Sequence, residues 1–284
     1  MSNLMGMLTT IQSYVWGPPT LLLLIGTGLY FTIKLRGLQI AKFPVAVKTI
    51  FEKESGTGSG EGDVSAFATL CTTMAADIGT GSIVGVATAL RIGGPGSLFW
   101  MWISAILGMV TKYSESLLAV KYRVTDENNQ MAGGPMFYIQ NGMGERFIWL
   151  AKAFSVFGMC TALFGCGTFP QVNAITESVN VTFRIPIVVA GIIVTVLTAV
   201  VTIGGIKSIS KVAEIVVPIM ALTFLGGSVV ALVINRAAVP GAFKAIFTCA
   251  FAKESVIGGT AGTGVITFMT VMRTGIARGV YTNE

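Results

Sequence analysis

The chain has no histidine, and only four cysteines in its 284 residues. Those four, Cys71, Cys160, Cys166 and Cys249, all fall inside apolar segments, and no CxxC spacing occurs. A disulfide framework, a zinc site and a haem attachment are therefore not expected. Cys71, Cys160 and Cys249 read as small buried hydrophobes. Charge is scarce too: 11% of residues are Asp, Glu, Lys or Arg, against about 25% in a soluble domain. The net charge of +6 is spread singly over the connecting segments, which leaves no basic domain to hold a nucleic-acid duplex. The first fourteen residues carry no positive charge, so the first apolar run reads as a retained span rather than a cleaved leader.

What fills the sequence instead is hydrocarbon. Apolar residues make up 53% and the mean hydropathy is +0.76, the signature of an integral membrane protein built as a single helical domain, 1–284. The apolar runs predict seven spans, at about 16–33, 66–90, 97–120, 147–178, 186–203, 212–234 and 243–272. Pro18 and Pro19 suit the first turn of the first helix. Asp63 or Ser65 is placed to cap the second. Gly93-Gly94-Pro95-Gly96 makes a turn, and Pro170 predicts a kink in the fourth span. The segments 34–65, 121–146 and 204–211 read as loops, with residues 133–138 forming a short interfacial or re-entrant piece. Lys112 and Glu115, three apart on one helix face, read as a simple pair. Sorting Lys and Arg between alternate sides puts fourteen of the nineteen on one side. By the positive-inside rule the amino end is then outside and the carboxyl end of this chain inside.

The second span, AFATLCTTMAADIGTGSIVGVATAL, is long enough to cross a hydrocarbon core of about 30 Å, yet its middle holds Asp77 and then Ile78-Gly79-Thr80-Gly81-Ser82. An ionisable group at that depth costs at least about 2.5 kcal/mol and marks a functional site by default. Close helix packing explains glycines but not an adjacent carboxylate. The reading is a helix interrupted to make a site. A second small-residue interruption, Gly258-Gly259-Thr260-Ala261-Gly262-Thr263-Gly264, lies in the seventh span, five spans on. An odd repeat of five inverts the second copy, and paired interruptions of this kind point to a transporter binding site.

Unwinding frees backbone groups that lipid cannot satisfy. N–H groups at a half-helix start can take a carboxylate. Freed carbonyls, with the Thr80 and Ser82 hydroxyls, can take Na⁺. For Asp77 the uses left open are holding a substrate ammonium, completing a cation site, carrying a proton, or capping the broken helix. On the fourth span Phe164, Thr168 and Gln171 share a face. Gln171 reads as a site residue, since Gly165, Gly167 and Pro170 loosen the helix beside it. For Asn173 the site and a plain interhelical hydrogen bond are equally open.

Four stretches taken together resemble a known family: AADIGTGSIVGVATALRIGGPGSLFWMWISAILGMVTKYSE at 75–115, GGPMFYI at 133–139, FGCGTFPQVN at 164–173 and RGVYTNE at 278–284. They are similar, in the same order and over nearly the whole chain, to the alanine or glycine:cation symporters, the amino-acid carrier proteins. The resemblance implies an all-α transmembrane, leucine-transporter-like bundle: one leading helix, then two inverted five-helix repeats. It implies uptake of alanine or glycine with Na⁺ or H⁺ across a bacterial or archaeal inner membrane. The family's substrate and cation contacts, carried to the matching positions, fall on Asp77, Thr80, Gly81 and Ser82, then Gly165, Cys166 and Gln171. Where the family usually reads GTGN, this chain has Gly79-Thr80-Gly81-Ser82, a hydroxyl in place of an amide, which alters the cation site. The chain also stops at Glu284, where the family continues. It would thus hold the first repeat and only the first helix of the second, apparently truncated at the carboxyl end.

The expectation is a cation-coupled carrier of small neutral amino acids in the cell inner membrane, with Na⁺ or H⁺ as coupling ion, no organic cofactor and no nucleic-acid partner. A transport-incompetent fragment is the alternative. A channel fits less well, because glycine loops line filters in four-fold pores and none is apparent. An enzyme fits poorly, because neither an acid–base pair nor a metal cage is visible.

Overall fold

A computed structural model describes residues 2–15, 17–51, 65–125, 131–163, 168–251, 254–255 and 266–282. It is helical apart from two short strand pairs. In chain order the elements begin with α1 (Ser2–Val15), α2 (Pro18–Lys34), α3 (Leu38–Ala41), α4 (Phe43–Phe51), α5 (Ala66–Asp77), α6 (Thr80–Gly93) and α7 (Gly96–Lys121). Next come β1 (Val124–Thr125), β2 (Met131–Ala132), α8 (Pro135–Met143), a 3₁₀ turn over Glu145–Phe147, α9 (Ile148–Leu163), α10 (Thr168–Phe183) and α11 (Ile187–Ile203). The chain closes with α12 (Gly205–Ile234), α13 (Val239–Phe251), β3 (Glu254–Ser255), β4 (Ile266–Thr267) and α14 (Phe268–Thr282). Four helical stretches, 66–93, 96–121, 145–183 and 205–234, are long and apolar enough to cross a membrane, with Ile187–Ile203 and Val239–Phe251 shorter apolar helices. Large apolar side chains such as Leu22, Val181, Ile215 and Ile234 stand outward. That is how lipid-facing helices are finished, because association in lipid rests on close packing rather than on hiding hydrocarbon from water.

The chain forms two compact units. The first comprises residues 1–43, 82–111 and 224–284, and small residues let its helices approach closely. On α14, a β-carbon added at Gly275 would meet the Ser97 carbonyl oxygen at 2.5 Å and Trp100 Cβ at 2.6 Å. One added at Gly279 would meet Ser104 Cβ at 2.7 Å. Gly275 and Gly279 are four apart, hence one face, and the neighbouring Val271 and Ile276 are fully buried. On α7, Gly96 sits against the Cys249 main chain of α13, 2.6 Å from a would-be β-carbon. Phe99 and Trp100 of α7 meet Phe251 of α13 edge-on, and the Trp100 indole N–H donates to the Ala250 carbonyl at 3.1 Å. Strand β3 pairs antiparallel with β4, Glu254 opposite Thr267.

The second unit comprises residues 44–81 and 112–223. Its core is Cys71 of α5 with Ala213 and Val217 of α12, flanked by Phe67, Met74 and Met220. The Thr72 hydroxyl donates to Ser210 Oγ at 3.3 Å, tying the same two helices. Helix α8 packs on α9 and α10 on α11. The α10–α11 corner turns at Arg184, which adopts φ +56°, and the Asn180 side-chain amide donates to the Ile185 carbonyl at 2.8 Å.

Several expectations change. The segment 34–65 is not simply a loop, since α3 and α4 occupy 38–41 and 43–51. Residues 205–211 are helical, so Lys207 and Lys211 belong to α12, whose interior holds Pro218. The kink expected at Pro170 lies against residues 164–167, outside the described residues.

Candidate functional site

Helix α5 starts on Ser65, whose Oγ accepts the Ala68 N–H at 3.1 Å; of the two caps expected, this is the one described. The helix ends on Asp77. Ile78 leaves helical geometry at φ −89°, ψ 78°, its N–H still reaching the Met74 carbonyl. Gly79 is also non-helical, and α6 begins at Thr80. The interruption is two residues long, in the middle of the 66–93 stretch. It sets the carbonyl end of one helix beside the amide end of the next, opposite partial charges a few residues apart.

The half-buried carboxylate of Asp77 closes this first half-helix. Gly81 and Ser82 follow in the first turn of α6 with Thr80. Gln171 comes to the same place from α10: a β-carbon at Gly79 would stand 3.9 Å from Gln171 Nε2. The second unit therefore brings together Asp77, Gly79 and Gln171 from two helices. Gly165 and Cys166 lie outside the described residues, as do Phe164 and the whole second interruption, 258–264. Gln171 and Asn173 are both exposed, and only Gln171 is shown beside the break.

One neighbour was read from sequence only as the partner of Glu115, a pair the structure shows. Lys112 of α7 acts electrostatically on Asp77 while its Nζ sits 3.1 Å from Glu115 Oε2. Glu115 in turn acts on the Tyr138 phenol of α8, which burial, and next that carboxylate, hold above its usual range. Charged and polar groups thus run from the helix break to α8: Asp77, Lys112, Glu115, Tyr138. The signal available was that Lys112 and Glu115 are ionisable residues inside an apolar span.

A row of apolar helices, one of them interrupted beside a carboxylate and an amide, defines a multi-pass membrane protein of all-helical build. The sequence profile of the sodium:alanine symporter family matches residues 1–284, and the chain belongs to that family. Similar proteins include a transporter of Haemophilus influenzae, named only as uncharacterized, 51% identical over 277 residues, covering 98% of this chain and 59% of the relative. The sodium/alanine symporter AgcS of Methanococcus maripaludis is 41% identical over 284 residues, 99% of this chain and 61% of AgcS. The amino-acid carrier protein AlsT of Bacillus subtilis is 35% identical over 263 residues, 92% of this chain and 53% of AlsT. The chain spans about three-fifths of the length of the first two.

Proposed function

We propose that this chain is a secondary carrier, or the larger part of one, that takes up alanine- or glycine-type small neutral amino acids together with Na⁺ or H⁺. The observation that carries the reading is the two-residue interruption at Ile78 and Gly79, with Asp77 and Gln171 beside it. A zwitterion has two charges to satisfy. The amide end of α6, at Thr80, Gly81 and Ser82, suits its carboxylate. The Asp77 carboxylate suits its ammonium or the coupling cation. The Gln171 amide supplies a donor and an acceptor for orientation, and Gly165 and Cys166 would complete the fourth-span wall. The carbonyls at the end of α5, with the Thr80 and Ser82 hydroxyls, are oxygen donors of the kind Na⁺ takes.

In this reading the bundle follows the leucine-transporter plan of a leading helix and inverted five-helix repeats, the amino end outside, and moves substrate by rocking one bundle against the other. Reconstituted protein is expected to accumulate labelled alanine only when an inward Na⁺ or H⁺ gradient is imposed. Asp77→Ala is expected to lower the rate roughly ten- to hundredfold, the worth of a hydrogen bond to a charged group. Uptake indifferent to both gradients and to Asp77 would overturn the proposal.

The match to about three-fifths of its relatives' length favours a second reading, in which residues 1–284 alone do not transport. The two part cleanly: in the second, the chain gains uptake only when the remaining portion of such a relative is supplied.

A further inference from the structure

The seam between α5 and α12 carries oxygen where helices in lipid need only small apolar side chains to pack. Both helix segments belong to the second unit. The apolar part of the seam is Cys71 against Ala213 and Val217. On α12, Ser210, Ala213, Glu214 and Val217 follow the three- and four-residue steps of one face. On α5, Ala68 and Thr72 are four apart and share a face in the same way.

The two hydroxyls of this seam are thinly served. Ser210 is 2% exposed, so bulk water does not reach it. Its bond with the Thr72 hydroxyl is 3.3 Å long, beyond the about 2.5–3.0 Å of an ordinary O–H···O bond. Thr72 has a single proton to give, and its hydroxyl also reaches the Ala68 carbonyl at 2.8 Å. That shorter leg is the better bond, so both hydroxyl oxygens keep unused acceptor capacity. In a buried setting such capacity is costly to leave unfilled.

Glu214 brings charge to the same seam. It is half-buried in a helix long and apolar enough to cross a membrane, the tenth residue of α12 and roughly 14 Å along its axis. Its carboxylate acts electrostatically on Cys71, the residue next to Thr72. Lys211, three residues earlier, is exposed, and among the described residues Glu214 makes no ion pair. An acid so placed within a span marks a functional position by default.

Two hydroxyls and one carboxylate are hard oxygen donors with a single negative charge. A monovalent cation neutralises that charge, whereas a divalent one would leave an excess in apolar surroundings. No three of His, Cys, Asp or Glu converge among the described residues, which sets a transition-metal cage aside. We propose that Thr72, Ser210 and Glu214 hold a monovalent cation of the Na⁺ type between α5 and α12. This is a second cation position, five residues ahead of Asp77 and separate from the helix break.

The test measures equilibrium binding of radioactive sodium to the whole purified chain in detergent. Glu214→Gln is expected to bind one sodium ion fewer per chain than the parent. Thr72→Val and Ser210→Ala should each weaken that ion's binding about tenfold, the worth of a contact between a neutral group and a charge. Thermal unfolding is followed beside it, in sodium chloride and in choline chloride. The stabilisation that sodium gives should shrink in Glu214→Gln, with the midpoint in choline unchanged. Sodium binding by Glu214→Gln equal to the parent's overturns the proposal. So does a lower midpoint in choline with the sodium increment intact, the mark of a purely structural carboxylate. If Glu214→Gln fails to fold, the two hydroxyl variants decide, and parental affinity in both overturns the site. Asp77→Ala in the same assay tests the helix-break reading, so failure of either site registers on its own variant, and neither measurement needs uptake.

Discussion

Asp77, Lys112 and Glu115 form a short charge series in the second unit, and the middle member decides its balance. Lys112 touches Glu115 directly and acts on Asp77 from the neighbouring helix. Its side chain and that of Glu115 are 48% and 40% exposed, so the pair itself contributes no more than about 1 kcal/mol to stability. Lys112→Gln is therefore expected to leave thermal unfolding nearly unchanged. It would remove a positive charge acting on Asp77, and should change the cation concentration for half-maximal uptake about tenfold, the effect of roughly 1.4 kcal/mol at one charge. Equal losses of stability and uptake would mark Lys112 as merely structural. The Tyr138 phenol supplies a pH prediction. Burial, then Glu115, raises its pKa, so the folded state favours the neutral ring. Its contribution is complete below the unfolded value of about 10 and is lost as pH climbs through the higher folded value. Absorbance titration of Tyr138→Phe against the parent should reveal one late-titrating phenol, and Glu115→Gln should move it earlier. The break after Asp77 was legible in sequence because an acid followed by glycines in an apolar run has few explanations. The link from Lys112 to Asp77 was not, because it joins two helices thirty-five positions apart and no spacing encodes it.

Among elements, the helices separate into those shaped by glycine and those shaped by punctuation. Gly96 and Gly275 face main-chain or β-carbon atoms that cannot swing aside, whereas nothing stands within 4 Å of a β-carbon at Gly26 or Gly158. Gly96→Ala and Gly275→Ala should each destabilise by about 1–3 kcal/mol. Gly26→Ala and Gly158→Ala should stay within about 0.5 kcal/mol, all four measured by thermal unfolding in one detergent. Gly85 is an intermediate case: it lies under the Arg278 guanidinium, Nε 2.7 Å from a β-carbon position, but a long side chain can yield. Long apolar helices were visible in the sequence because lipid demands unbroken hydrocarbon. Helices α3, α4 and α8 were not, since four to nine residues carry too few turns for periodicity to declare itself.

At the scale of the molecule, family membership rests on the full length of the chain, while each relative named above is longer than the part this chain matches. If coupling needs both repeats, joining the chain to the remaining portion of AgcS should convert weak or absent alanine accumulation into gradient-driven uptake. Joining it to the same portion with Asp77→Ala should not. Full activity of the unextended chain would show instead that residues 1–284 suffice.

The indole of Trp100 supplies an optical gauge. Its N–H is spent on the carbonyl of Ala250 and its ring meets Phe99, Phe251 and Phe268 edge-on, so its emission reports a half-buried, aromatic-lined setting. With the other three tryptophans replaced by phenylalanine, any sliding of α13 along α7 would pull that donor from its acceptor and let the spectrum redden, without a label and in a single cuvette.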